Sequence, residues 1–399
     1  MKNHLGSRSL LKLTVILTVI TLGIVGLFSC SQNSKEILQK PSQKFEVTLG
    51  QARTVAENFN FLANKAKGNI KSSAKARKVS SVDEVKDQDG EPLFYIMNYD
   101  SSGFVIVSGD NRIRPILAFA EKHSFKMDKK VLDNTGLGYW IYATKNGIRK
   151  IRKKALKQNP AIKEAWNIQL GLKIVPVDPP CTDYSKTYGP LMTTTWGQGC
   201  GYNTLLQGGC LYNCGHVPTG CVATAMAQVM KYHNFPLSYN WSAMPNAYGS
   251  SETARLMKDI GASVGMVYGC EGSGAYGTAI APAFVNTFGY STPQYINYAG
   301  SVNAGNVVVS EFAENRPVIF TGVDYSFHPA VGHAWVSDGS IDQFYCDSGN
   351  SFLYFHMNWG WSSPNANGWF SFNTFTPTAP NGTTYNFYSD SKVVINIHP

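Results

Sequence analysis

The amino-acid sequence predicts an α+β protein: a large α+β domain behind a smaller α+β unit. Three observations predict it. Helical periodicities gather between residues 221 and 288 and short β-like runs between 317 and 397, an order unlike the strand–helix alternation of parallel sheets. A separate group of one amphipathic helix and three apolar runs fills residues 48–119. The composition changes near Leu172, from lysine-rich to aromatic, Gly- and Asn-rich with sparse charge. With 399 residues, 43 % hydrophobic and 15 % charged, the chain is long enough for more than one core and too apolar for disorder.

Taken in order, Lys2, Arg8 and Lys12 precede LTVILTVITLGIVGLFSC, a positive segment followed by an apolar one, as in an export signal. A single membrane-spanning helix is the competing reading of a run this long. Leu27-Phe28-Ser29-Cys30 resembles a bacterial lipobox, which makes Cys30 the candidate lipidation site and 1–30 the signal. Either way the rest of the chain is expected outside the cytoplasm. Residues 48–66 are predicted as an amphipathic helix, with Leu49, Ala52, Ala56, Phe59 and Ala63 on one face and Thr48 and Gln51 in capping-box positions. Lys65 to Lys86 reads as a loop. LFYIMNY (93–99), GFVIVSG (103–109) and PILAF (115–119) read as strands. The basic run 145–160 reads as a helix or linker, either a solvated face or a docking and processing segment. Beyond it, helices are predicted at 221–233, 252–260 and 276–288, and strands at 317–323, 333–338, 352–358, 368–372 and 393–397.

The net charge of +9 is unevenly spread. Residues 1–172 hold 28 Lys and Arg against 14 Asp and Glu, and residues 173–399 hold 7 against 12. A basic region beside an acidic one in one chain fits an intramolecular lid docked partly by charge, and no basic, aromatic-interleaved motif points to nucleic acid. Eight cysteines occur. With Cys30 lipidated and Cys221 free, Cys181, Cys200, Cys210, Cys214, Cys270 and Cys346 remain for up to three disulfides, whose pairing stays open. The spacing Cys210-x3-Cys214-x-His216 matches no common zinc set, and no metal is expected.

Cys221 is the candidate nucleophile. It stands behind Gly220 at the front of VATAMAQVM, where helix N–H groups favour a thiolate, and no Asp or Glu lies between Asp183 and Glu252 to oppose it. A thiol needs a base, and the base an orienting partner. His333 follows Gly332 at the start of a strand in VGHAWVSDG. Asn358 ends the next strand in HMNWGW, placed to hold the imidazole, with Trp359 shielding that bond; Asp338 and Asp347 are rivals for the role. Gln198 in TTTWGQGCGYN is placed upstream to donate to an oxyanion together with the Cys221 N–H. Gly261-Ala262-Ser263-Val264-Gly265 fits G-x-S-x-G, but a helix precedes it and a β-like run follows, the reverse of a nucleophile elbow.

The segments TGCVATAMAQVMKYHNFP, VGHAWVSDG and MNWGW resemble the streptopain family of secreted bacterial cysteine peptidases, and LFYIMNYDSSGFVIVSGDNRIRPILAFAE is similar to its propeptide. The resemblance implies a papain-like, two-lobed cysteine peptidase domain at 173–399 preceded by an inhibitory α+β prodomain at 31–172 with its core at about 45–150. It further implies a cofactor-free zymogen acting through an acyl-enzyme, with Gln198, Cys221, His333 and Asn358 as oxyanion donor, nucleophile, base and orienting residue. Protein substrates and the chain's own propeptide are the expected partners, and the zymogen is expected as a cell-surface or outer-membrane lipoprotein, or secreted once the propeptide is cut off between Lys157 and Cys181. The loop Cys200–Gly220, with three additional cysteines, and PTAPNGTTYNFYS depart from the family. A cysteine acyltransferase or amidase on the same triad, and a non-catalytic surface-binding lipoprotein, are the alternative readings.

Overall fold

The computed structural model describes residues 45–61, 77–127, 135–154, 156–172, 184–325, 330–345, 350–362, 365–372 and 388–399. The signal, Cys30, Cys181, Cys346 and Asp347 lie outside the described residues. Antiparallel pairing joins the described strands into one sheet that runs through both predicted regions. Its order is β1 (Val79–Lys86), β2 (Pro92–Tyr99), β3 (Phe104–Ser108), β4 (Ile116–Ala120), β10 (Gly368–Phe370), β9 (Asn350–Asn358), β8 (Val331–Tyr345), β7 (Val318–Asp324), β11 (Lys392–Ile395) and β6 (Gln294–Asn297). The fifteen-residue β8 serves two partners on one edge: β7 covers residues 331–337, and β5 (Tyr184–Tyr188) covers 340–344.

β2, β3 and β4 are buried along their whole length because both faces of the sheet are covered there. On one face α1 (Leu49–Asn58) and α3 (Pro160–Gln169) pack Val55, Ala56, Ile162 and Trp166 against Tyr95, Met97 and Val105. On the other, α2 (Gly136–Arg152) packs Trp140, Ile148 and Ile151 against Phe94, Ile96 and Phe104. Such double burial explains continuous apolar runs where a half-exposed strand alternates. Thr48 and Gln51 form the expected capping box, but α1 stops at Asn58 because Phe59 turns to extended backbone. The expected loop at 65–86 ends in β1 instead: the polar side chains of VSSVDEVK face solvent on an edge strand, which hides it from an apolar count.

The basic run is not simply a solvated face. Arg152, at the end of α2, is half-buried among Asp87 (3.4 Å), Glu91 (3.5 Å) and Asp110 (3.7 Å), while Arg112 meets Asp110 at 2.6 Å. The pairs that Arg112 and Arg152 make lie inside their own region, while Lys145 of α2 feels the Asp324 carboxylate across the junction. The junction itself is aromatic and main-chain: Trp369 pairs with Phe119 and Phe370 with Ala118, the Trp140 indole donates to the Ser371 carbonyl at 2.9 Å, and Tyr354 donates to the Ile116 carbonyl at 3.2 Å.

In the C-terminal region α4 spans Cys221–His233, as predicted, closed by left-handed Asn234. It lies on the sheet with α5 (Ser251–Ser263) and α6 (Ile280–Asn286) in a core built from Val222, Ala223, Met226, Met257, Ile260, Phe284, Ile319, Ala334 and Val336. Only the second half of the predicted 276–288 helix is α-helical. Five elements among the described residues escaped prediction: β1, α3, β5, β6 and α7 (Val302–Ala313).

Candidate active site

The thiol is placed by a glycine. Gly220 caps α4 at φ 86° and ψ 149°, left-handed space that a side chain resists. There is also no room for one, since a Cβ on Gly220 would lie 2.7 Å from Met266 Sδ and 3.0 Å from the Ser273 carbonyl oxygen. α4 therefore starts at Cys221, the free thiol among the described cysteines. The two cysteines of the zinc-like spacing are both oxidised, Cys214 to Cys200 and Cys210 to Cys270.

Cys221 is partly exposed, yet its surroundings are dry enough that burial pushes its pKa up; backbone N–H groups of Ala334, Val222 and Cys221 itself pull the other way. The thiolate expected from a helix N-terminus is not the resting form: desolvation outweighs the dipole, and no cation is among the influences on the thiol.

His333 lies one residue from Ala334 but on the other side of the strand. On β8, Ala334 and Val336 belong to the α4 core and Trp335 to the core shared with α2, so alternation puts His333 on the α2 face. Its ladder partner is Gly322, and the space above that glycine is filled by Tyr139 of α2: a Cβ on Gly322 would lie 2.5 Å from the phenol ring. Gly136, one turn earlier, is pressed as closely on Trp335, and the Tyr139 and Trp335 rings are 5.7 Å apart. His333 is thus buried, with Nε2 lacking any hydrogen-bond partner, and burial pushes its pKa down to about 4. Both members of the candidate pair are uncharged near neutral pH.

The other predicted residues fall as follows. Asn358 does not hold the imidazole: its Nδ2 donates to the Thr194 carbonyl at 2.7 Å and its Oδ1 accepts the Gly360 N–H at 3.2 Å. Asp338, its rival, is likewise engaged elsewhere. It is buried against His356 Nδ1 (2.6 Å) and accepts the Met192 N–H (2.8 Å), fastening the chain after β5 to the sheet. Trp359 is buried beside Trp335 (5.7 Å) and donates to the Ala366 carbonyl (2.9 Å). Gly332 has open space where a Cβ would be. Gln198 is half-buried, and its carbonyl accepts the Thr219 N–H (2.9 Å), which holds its loop two residues from Cys221. Ser263 of the rejected elbow ends α5, its hydroxyl donating to the Ile260 carbonyl.

Sequence reasoning missed the support behind this site. Gln228, fully buried on α4, accepts from the Thr194 hydroxyl (3.0 Å) and the Trp196 N–H (3.2 Å), so Asn358, Thr194 and Gln228 form one chain from β9 to the thiol helix. A polar Gln inside the apolar VATAMAQVM was the available signal. Tyr139 carried none.

Residues 196–239 and 237–370 match the Peptidase C10 family, and residues 44–148 match the Spi protease inhibitor family. The chain is 28 % identical to the thiol protease/hemagglutinin PrtT of Porphyromonas gingivalis over 88 % of its own length, spanning 42 % of that protein. It is 26 % identical to streptopain of Streptococcus pyogenes, over 83 % of this chain and 87 % of that one. A fragment of prointerpain A from Prevotella intermedia superposes with a TM-score of 0.57 at 26 % identity, covering 80 % of this chain and 99 % of that one. With an inhibitor-like prodomain leading a papain-like α+β domain, the chain belongs to the peptidase C10, or streptopain, family of cysteine peptidases and is a zymogen of that family.

Proposed function

We propose that this zymogen is an exported cysteine endopeptidase in which α2 keeps Cys221 and His333 on opposite faces of β8 until the prodomain is removed. The observation that carries it is Tyr139 seated on Gly322, the ladder partner of His333. With that wedge in place a buried neutral imidazole and an unassisted thiol cannot exchange a proton. Once it leaves, the end of β8 that carries His333 is free to twist so that the imidazole reaches the α4 side, where it takes the Cys221 proton and the thiolate attacks a peptide carbonyl. The Gln198 side-chain amide and the Cys221 N–H are assigned to the oxyanion, and the imidazolium returns its proton to the leaving amine. Water, deprotonated by the same imidazole, then hydrolyses the acyl-enzyme. Asn358 acts by fixing Thr194 and, through Gln228, the helix that carries the thiol; in the released enzyme its amide is available to the imidazole.

The proposed layout is a signal at 1–30, a propeptide at 31–172 and the peptidase at 173–399, cut between Lys157 and Cys181. The signal-like N-terminus supports export, as do two disulfides, which persist in oxidising compartments. Lipidation of Cys30 is part of the same proposal, checked by the mass of the N-terminal peptide from membrane fractions. Purified protein incubated with unfolded casein, with and without a thiol-alkylating inhibitor, tests the activity. Cleavage that survives alkylation of Cys221 would overturn the assignment.

A further inference from the structure

We propose that Thr224, one turn past the thiol on α4, is a positioning residue that aims the Gln198 amide at the oxyanion, with Thr219 sharing the role from the other side of Cys221. The proposal rests on the reading of Cys221 as nucleophile and Gln198 as oxyanion donor.

The two peptide groups of Gln198 are held by residues that bracket the thiol. The Gln198 carbonyl accepts the Thr219 N–H at 2.9 Å, and the Gly197 carbonyl, part of the peptide bond that enters Gln198, lies 3.4 Å from the Thr224 hydroxyl. The two threonine hydroxyls are 3.2 Å apart, and both residues are buried. A closed loop of contacts therefore joins Gln198 to the first turn of α4 on either side of Cys221. It has little slack: a Cβ on Gly197 would collide with the Ser362 hydroxyl, and one on Gly360 would lie 3.0 Å from the Thr224 methyl. Gly360 is itself held through its N–H by Asn358 Oδ1. Thr224 thus meets the Gln198 segment with its hydroxyl and the loop after Asn358 with its methyl.

A helical threonine often bonds back to the carbonyl four residues earlier, and the Gly220 carbonyl is 3.1 Å from the Thr224 hydroxyl. That local bond does not account for the residue. The Gly220 carbonyl already accepts the Thr224 N–H at 3.1 Å, so the single hydroxyl proton is shared with the Gly197 carbonyl, and Thr219 is then the donor to the Thr224 oxygen. Valine has nearly the same shape and would suit the apolar run VATAMA, in which Thr224 is the one polar side chain. An oxyanion donor helps only when its N–H already points to where charge develops. Gln198 stands outside any helix or strand, so the direction of its amide depends on the peptide groups at its root.

The test makes each variant as the full-length chain and matures it with a trace of affinity-tagged wild-type enzyme, which is then withdrawn. Iodoacetamide labelling of Cys221 counts the active sites, and a fluorogenic peptidyl amide is the substrate. Thr224→Val is expected to lower kcat about tenfold with KM within about twofold. The rate of alkylation by iodoacetamide is expected to stay as in the wild type, because displacing iodide builds no oxyanion. Thr224→Ser restores the hydroxyl and is expected to bring kcat back to within about threefold of the wild type. In a Gln198→Ala background Thr224→Val is expected to cost less than about twofold more, since the donor it aims is gone. A residue that only packs the helix predicts the full loss again in that background and no recovery with serine. Either result overturns the proposal, as does a wild-type kcat in Thr224→Val. Should Thr224→Val fail to fold, Thr219→Val carries the same test, with kcat expected to fall about threefold and an unchanged kcat overturning the proposal. A wild-type kcat in Gln198→Ala overturns instead the oxyanion assignment beneath it, and a wild-type chain that is labelled at Cys221 yet cleaves nothing overturns the peptidase reading.

Discussion

The two faces of β8 solve opposite problems with adjacent residues. On one face, Ala334 and Val336 are small enough for α4 to lie close, which brings Cys221 within reach of the Ala334 backbone N–H. On the other, Trp335 and the Gly322–His333 pair make a bay that Gly136 and Tyr139 of α2 fill without a gap. One face is built for a permanent neighbour, the other for a neighbour whose removal leaves a hole. On the proposed reading the catalytic pair is divided between them, and latency then needs no plug over the thiol, only a strand and a wedge that hold the two side chains apart.

The sharpest way to break the comparison is to delete one member of the pair. Cys221→Ala is expected to give a folded chain that stays at full length and cleaves no casein, and His333→Ala a similar loss, both read by gel and by substrate turnover. Processing in either variant purified away from wild-type enzyme would refute the pairing. Next in size is the wedge. Tyr139→Ala removes a buried ring and is expected to weaken the hold of α2 by about 3 kcal/mol, as large-to-small core changes do. In the Cys221→Ala background this appears as a lower melting temperature; with Cys221 intact it appears as faster self-processing. Gly322→Ala attacks the same contact from the other side and is expected to act in the same direction.

Acid tests the buried face alone. His333 is neutral in the fold down to about pH 4, whereas in the unfolded chain it takes up a proton near 6.5. Between those values the unfolded chain binds the extra proton, so stability falls as pH drops from about 6.5 to about 4, by up to ~3 kcal/mol for this group. His233, pushed by burial to about 4 as well, adds to the loss. The melting temperature of the Cys221→Ala zymogen should decline across this range, and His333→Asn should flatten the decline. An equal slope in both would show that His333 is not buried behind α2. Asn358→Ala is smaller again. It leaves the Thr194 carbonyl and the Gly360 N–H without their partner, a cost of about 1–3 kcal/mol, and the mature enzyme should retain more activity than with either member of the pair removed.

What the sequence made legible follows from where the physics is local. α4, from Cys221 to His233, could be bounded to the residue because a left-handed glycine and a left-handed asparagine mark its ends and nothing distant competes. Doubly buried β2 and β3 announced themselves through uninterrupted apolar runs, while polar β1 and β5 exist only because a neighbouring strand supplies hydrogen bonds, a long-range fact that a local pattern does not carry. The same division holds at the site. Glycine, cysteine, histidine and asparagine stood out by type, and Gly220 has its geometric reason in Met266 and Ser273, which lie far along the chain. The orienting role expected of Asn358 failed to appear here because its amide is committed to Thr194 and Gly360, partners that no spacing reveals.

The smallest expected effect concerns charge, of which Lys145 and Asp324 carry one attraction across the junction. A region carrying 28 basic against 14 acidic residues invites docking on its acidic neighbour. The structure instead turns Arg112 and Arg152 inward onto Asp110, Asp87 and Glu91 of their own region. The arginine that does cross, Arg114, is buried, donates to the Leu353 carbonyl at 3.1 Å and stacks over Phe352 and Tyr354, at 4.7 and 5.3 Å from their ring centres. Contacts to a carbonyl and to aromatic faces inside a dry junction are poorly screened, whereas exposed charges lose most of their interaction beyond about 8 Å at physiological salt. Self-processing of the full-length chain should therefore change less than about twofold between low and high ionic strength, while Arg114→Met, which keeps the bulk but not the hydrogen bond, should hasten it measurably. A steep rise of processing with salt would restore the electrostatic lid and count against an aromatic junction as the main hold on the prodomain.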